Sequence, residues 1–463
     1  MLLVLSCLLA PGASAALTPP FDVNAEEVYM VNLDTGVVVC AKNETTPRAP
    51  ASLTKIMTSL LLMENVPDLE HTMVQAPGYI YDELYGQGGS TADIRPYETV
   101  TAKTLLYAML LPSSNEAASI TADYIGNGSL ENFYYIMNAR ARQLGCVATQ
   151  FTNPHGLFGM ENGHYSCAYD MYLIARACYE TPGFMEVASS EKYDMPFTDY
   201  HTTPEYESYP NAAYIIYSTN YLQCTSSSIY RSDVHGIKTG STPEAGYNLV
   251  STATQNGETY LLVVMGTPYE KDENGYGLAF SVSSQLYDWA FDNFRVSTAM
   301  DTEKPLQELS VKYGEGADSV LLYPEEPFST LMPTEADESV LQKTFLLPDS
   351  VAAPVKEGDV LGAVKLSLAG EELGTVALVA HEDIPRSELL YRAAQVRAFF
   401  ESLYFRTVLV LLALLVVGYL LLLHRLQKKE KLRSDSYVDG RVNIRGPEVD
   451  RRKNSFGDDQ HYG

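Results

Sequence analysis

The sequence predicts an α/β (α+β) protein: an antiparallel sheet flanked by helices, then a small all-β domain, then one transmembrane helix. Three observations predict it. Short β-branched runs at 28–32 and 37–41 surround Asp34-Thr35-Gly36, and similar runs return at 247–253 and 259–265 around Gln255-Asn256-Gly257, so two hairpins bracket a long middle segment. That middle segment has apolar residues at helical spacing, which suggests a sheet completed by both ends of one domain with helices packed on it. Beyond Val296 the pattern changes to short alternating runs separated by turn residues, and residues 407–423 form an uncharged apolar run.

Taken in order, helices are expected at 52–63, 101–111, 116–124, 130–144 and 169–179, and an amphipathic helix at 280–294 closes the segment. The runs LQELSVKY, DSVLLY, GAVKLSLAG and LGTVALVA read as strands of the small β domain. An amphipathic stretch then leads into TVLVLLALLVVGYLLLL, which has no polar face to mark it as a core helix. Arg425, Lys428, Lys429, Lys431 and Arg433 follow at once, so the positive-inside rule puts the tail in the cytoplasm and the large N-terminal part outside. At the other end a short apolar run precedes Ala13-Ser14-Ala15, a signal-peptidase pattern. The expected organisation is therefore a signal peptide at 1–15, a catalytic domain at 16–296, a small β-rich domain at 305–383, an amphipathic juxtamembrane segment at 384–406, a transmembrane helix at 407–423 and a cytoplasmic tail at 424–463.

The net charge of −26 argues against a nucleic-acid partner, which needs a basic face. The five cysteines left after signal removal, Cys40, Cys146, Cys167, Cys178 and Cys224, are irregularly spaced and contain no C-x-x-C, which argues against zinc. An exported location permits a disulfide, but spacing does not choose the pair. His155 and His164 lie in one loop without a carboxylate or cysteine at ligand spacing, so they read as loop-ordering residues; no metal and no cofactor is expected.

Three short motifs carry chemistry. Ser52-Leu53-Thr54-Lys55 puts a hydroxyl and an amine on one helix face, where a lysine kept neutral by burial can take the serine proton. Alone the pattern is cheap: Ser189-Ser190-Glu191-Lys192 repeats it in a surface stretch, and taken by itself a solvated pair explains it better. Ser113-Ser114-Asn115 offers a proton relay and an amide able to hold a peptide backbone, against the plain alternative of an N-cap serine; Ser218-Thr219-Asn220 repeats this pattern too. Lys238-Thr239-Gly240, followed by Ser241, occurs once, just before a strand; a lysine and a hydroxyl at a sheet edge suit a carboxylate, and the glycine admits substrate backbone.

In this order the three motifs resemble those of the serine penicillin-recognising enzymes. The flanks PASLTKIMT, GSTADIRPYETVTAKTLLYAMLLPSSNEAA, FTNPHGLFGMENGHYSCAYDM and HGIKTGSTPEAGYNLVSTA resemble the low-molecular-weight D-alanyl-D-alanine carboxypeptidases. The resemblance implies a β-lactamase/transpeptidase-like fold. It implies Ser52 as acylated nucleophile, Lys55 as general base, and Ser113 and Asn115 as the second motif. Lys238 and Thr239, beside Gly240, would bind the terminal carboxylate, and the N–H groups of Ser52 and Ser241 would form the oxyanion hole. The implied partners are peptidoglycan stem peptides ending in D-Ala-D-Ala, with β-lactams as inhibitors of a membrane-anchored enzyme. A penicillin sensor without turnover and a cross-link endopeptidase are the alternatives. The chain departs from its relatives after Met265-Gly266, where many have an arginine and this one has TPYEKDENGYG, with Lys271 as its one cation.

Overall fold

The computed structural model describes residues 18–200, 214–335, 340–368 and 371–438. The signal peptide expected at 1–15 and the tail from 439 on lie outside the described residues. The chain forms two compact units. One runs to Leu309 and takes in Leu321–Asp349 and Glu357–His381; the other comprises Ser310–Val320, Ser350–Lys356 and the chain from Glu382.

The first unit is built on a five-stranded antiparallel sheet. Its strands are β1 (Glu27–Asn32), β2 (Val38–Lys42), β3 (Val234–Thr242), β4 (Gly246–Gln255) and β5 (Glu258–Thr267), in the order β2-β1-β5-β4-β3. The N-terminal hairpin therefore pairs with the last strand of the segment, Val28 opposite Val264 and Met30 opposite Leu262. Burial on both faces explains the near-continuous apolar runs in β5. Alternate residues serve different layers. Tyr29, Val31, Leu261 and Val263 join one core with Ile56 and Leu60, while Val28, Met30, Leu262 and Val264 join another with Leu286, Tyr287 and Ala290.

The helices are α1 (Thr54–Asn65), α2 (Ala102–Leu110), α3 (Asn115–Ile125), α4 (Leu130–Gln143), α5 (Ala168–Glu180) and α6 (Leu278–Asn293). Three of their starts are chemically marked: the hydroxyls of Thr101, Ser114 and Ser129 accept from the N–H groups of Thr104, Ala117 and Asn132. Helix α1 is buried over its first nine residues, polar ones included, because it passes through the middle of the helical layer. The helix expected at 52–63 starts differently: Ala51–Leu53 is a separate 3-10 turn, closed by Leu53 N–H on the Pro50 carbonyl. Two small two-stranded antiparallel sheets that sequence spacing did not reveal pair Met73–Gln75 with Thr99–Thr101 and Lys192–Met195 with Tyr214–Tyr217.

Within the same unit Phe294–Met300 pairs with Phe328–Pro333, and Val360–Leu368 lies between Gln342–Leu346 and Glu371–Ala380. The inward residues Val364, Leu366, Val376 and Leu378 alternate along their strands as the β reading requires. In the second unit residues 311–312 pair parallel with 351–352. Tyr313 there packs edge-on against Tyr391, over whose ring Arg386 lies. Helix Glu388–Glu401 follows, then helix Leu403–Val438. Within it Leu403–Lys431 is, among the described residues, the one stretch long and apolar enough to cross a bilayer. The five described cysteines are free thiols.

Candidate active site

The turn before α1 presents Ser52. Ala51 sits at φ 49°, outside the region L-residues prefer, and a chain of hydrogen bonds holds it there. The Thr152 N–H donates to His164 Nδ1 at 3.0 Å, which leaves the His164 Nε2–H to donate to Thr54 Oγ1 at 2.8 Å. The Thr54 hydroxyl then donates to the Ala51 carbonyl at 2.8 Å. Burial pushes His164 down to about 3, so it stays neutral and keeps this tautomer.

Lys55, in the first turn of α1, is fully buried. Its Nζ lies 3.1 Å from Ser52 Oγ, 2.8 Å from Asn115 Oδ1 and 2.7 Å from the His155 carbonyl oxygen. Asn115 Oδ1 and the carbonyl can only accept, so they take two N–H groups. In the neutral amine the position left over is the lone pair, and it faces Ser52 Oγ. Burial lowers the Lys55 pKa well below the usual lysine range, Lys238 lowers it further, and Glu116 opposes both. In that neutral form the lysine can accept a proton from the serine hydroxyl.

Ser113 and Asn115 stand at the junction of α2 and α3. Ser114, the middle residue of the motif, is the N-cap of α3, and this leaves Ser113 free of that task. Ser113 has φ 67° and is 4 % exposed, and its Oγ has no hydrogen-bond partner among the described residues. It faces the cleft that also holds Ser52. An unpaired buried hydroxyl lining the same cleft as Ser52 suits a group that meets its partner only in a bound ligand. The Asn115 side chain is clamped by Gly89, where a Cβ would stand 2.0 Å from Nδ2. The 89–92 loop is in turn held by the buried Glu116 carboxylate, which accepts from the Thr91 hydroxyl and the Ala92 N–H, both at 2.7 Å.

Strand β3 brings the third motif alongside. A Cβ on Gly240 would lie 3.0 to 3.2 Å from Pro50 O, Leu53 N and Ser52 N, so glycine alone lets the strand approach the nucleophile turn so closely. Thr239, Gly240 and Ser241 line the cleft with Ser52 and Ser113. Lys238 does not: it is 1 % exposed, donates to the Thr239 carbonyl at 3.0 Å, and burial pulls its pKa to about 7. When protonated it lowers the pKa of Lys55, and its amine is tied to the Thr239 carbonyl.

Other parts of the site carried no sequence signal. The cleft has a volume of about 440 Å³ and includes Ser90, Thr219 and a wall of Tyr221, Tyr247, Tyr269 and Tyr276. Thr219, from the second Ser-x-Asn, has its hydroxyl 2.6 Å from that of Thr239. Tyr247 and Tyr269 stack at 5.0 Å. The second Ser-x-x-Lys is the surface stretch its composition suggests, with Lys192 exposed.

Comparison with known proteins bears on the same residues. Residues 13–269 match the family model of the D-alanyl-D-alanine carboxypeptidases (peptidase S11), and residues 294–386 that of the penicillin-binding protein 5 C-terminal domain. The chain is 30% identical over 363 residues to D-alanyl-D-alanine carboxypeptidase DacF of Bacillus subtilis, covering 78% of this chain and 86% of the relative. It is 28% identical over 386 residues to DacC of Escherichia coli, with 81% and 89% covered. Among solved structures, penicillin binding protein 5 from Haemophilus influenzae superposes with a TM-score of 0.59 at 26% identity, over 80% of this chain and 100% of that one.

Proposed function

The chain belongs to the D-alanyl-D-alanine carboxypeptidase family, serine-type hydrolases of peptidoglycan, and for this member we propose that Ser52 carries the acyl group, with Lys55 as its base. The observation that carries the assignment is the trio of contacts at Lys55 Nζ, which turns a lone pair toward Ser52 Oγ.

On this reading Ser52 Oγ attacks the D-Ala-D-Ala carbonyl and passes its proton to Lys55. The N–H groups of Ser52 and Ser241 stabilise the oxyanion that develops. The terminal D-Ala leaves with a proton relayed through Ser113, whose hydroxyl has no other task. Asn115 orients both Lys55 and the substrate amide. Thr239 binds the terminal carboxylate, with Lys238 adding charge from behind and Gly240 keeping the strand close. Water then releases the shortened stem peptide. β-Lactams acylate the same serine.

The catalytic domain is assigned to residues 16–296 and the β-rich domain to 305–383, with 384–406 leading to a membrane anchor at 407–423. The apolar helix supports an anchored enzyme, and the basic residues after His424 favour a cytoplasmic tail, with catalysis outside.

Fluorescent penicillin should label the purified protein, Ser52→Ala should abolish labelling, and mass analysis of an incubated pentapeptide stem should show loss of one alanine. Persistent labelling of Ser52→Ala sinks the nucleophile assignment. Acylation without alanine release would mark a sensor.

A further inference from the structure

We infer that Lys271 is a specificity-determining residue of this cleft, the cation that reads the free carboxylate at the end of the cleaved peptide. The inference rests on the assignment of the cleft to a D-Ala-D-Ala stem.

Four observations carry it. Lys271 is the one cationic side chain among the described residues that line the cleft, and no acidic side chain lines it. It is exposed and makes no ion pair with a described residue. Its loop is ordered: residue 271 bridges to Gly277, and Tyr269 stacks on Tyr247 of β4. The neighbouring Asp272 carboxylate is turned into that loop, where its Oδ1 accepts from the N–H groups of Asn274 and Tyr276 at 2.9 and 2.8 Å. Lys271 thus lines the cleft on an ordered loop, with the adjacent Asp272 carboxylate engaged in that loop.

The cleft also requires such a group. Its ligand ends in an anion, while the chain itself carries a net charge of −26. The other lysine of the region, Lys238, is buried, does not line the cleft and has its amine on the Thr239 carbonyl. The hydroxyls of Thr219 and Thr239 are bonded to each other, and that of Thr219 is also within reach of the Leu111 carbonyl, so the pair offers a carboxylate at most the one proton of Thr239 and no charge. A cation on the open side supplies both the attraction that draws the anion in and a charge-assisted contact once it is bound.

The test compares an acyl-D-Ala-D-Ala peptide with its C-terminal carboxamide on the full-length protein in detergent. Lys271→Met should lower kcat/KM for the free acid about tenfold, through KM, while the carboxamide is spared. Lys271→Arg should restore the preference for the acid, and Lys271→Glu should lower acid turnover below that of Lys271→Met. Labelling of Ser52 by saturating fluorescent penicillin checks that each variant is folded. Equal losses on acid and carboxamide, or no loss on either, overturn the inference. If the wild-type protein releases alanine from neither peptide, the catalytic reading fails, and binding of the two peptides followed by NMR then decides on Lys271: an acid preference that Lys271→Met erases supports it, and none refutes it.

Discussion

The Nζ of Lys55 stands 3.1 Å from the Oγ of Ser52, and the two other groups within reach of that nitrogen are both acceptors. In the neutral amine both hydrogens are therefore drawn away from the serine, and the lone pair is left facing it. Burial lowers the pKa of the amine well below the usual lysine range, and the neighbouring Lys238 adds to that effect.

Lys55→Met keeps the stem and removes the lone pair. Acylation of Ser52 by penicillin should slow by about a thousandfold or more, because an unactivated serine is a poor nucleophile. The fold should survive, since the change trades a costly buried amine for an apolar group while leaving two acceptors unpaired. Stopped-flow acylation together with thermal melts would check it. Acylation within tenfold of wild type would mean that another group takes the proton.

The pH dependence follows from the same burial. Lys55 must be in its free-base form, so acylation should rise with pH along a limb ending well below the 10.5 of an ordinary lysine. Lys238→Met removes a repelling charge and should move that limb to higher pH. Stability should respond as well. The Lys238 pKa falls from 10.5 to about 7 on folding, so between those values the unfolded chain binds more protons and this lysine's contribution rises with pH. Lys238→Met should therefore be most favourable, relative to wild type, below about pH 7, with the advantage fading toward 10.5. Denaturant titrations at both ends of the window measure this, and a difference that grows with pH contradicts it.

Gly240→Ala tests the close approach of β3 to the nucleophile turn. The added methyl would meet backbone atoms of Pro50, Ser52 and Leu53, none of which is the end of a flexible side chain. The strand must move off the turn, pulling Thr239 and Ser241 away from Ser52. We expect a loss of about a hundredfold in acylation, as a shift of about an ångström can cost that much. A crystal structure with β3 unmoved and full activity would refute this.

His164→Ala tests the support beneath Ala51. It leaves the Thr152 N–H without a partner and frees the Thr54 hydroxyl. Unfolding free energy should fall by about 1–3 kcal/mol, the cost of an unsatisfied buried donor. Acylation should fall too, because the turn bearing Ser52 loses its brace. His164→Gln, which can both accept and donate, should recover part of each. Unaltered stability in His164→Ala would show that the hydrogen-bond chain does not hold the turn.

The alternating and helical periods of the chain were enough to read the bracketing hairpins, the buried helix after Ser52, the later β-rich part and the apolar run near the C-terminus. These are local patterns, set by which neighbouring side chains share a face. The motifs were legible as residue types in order, but each had a bland twin elsewhere or a structural alternative, and nothing local separates Ser52/Lys55 from Ser189/Lys192. Folding separates them. The contacts that define Lys55 come from 60 and 100 residues away, and the wall that desolvates it comes from helices remote in sequence. The same long-range packing assigned the N-cap to Ser114 and left the Ser113 hydroxyl without a partner among the described residues, buried Lys238, and brought Lys271 and four tyrosines to the cleft. Periodicity tells which way a side chain faces on its own element, whereas proton affinity and access depend on which other elements close over it.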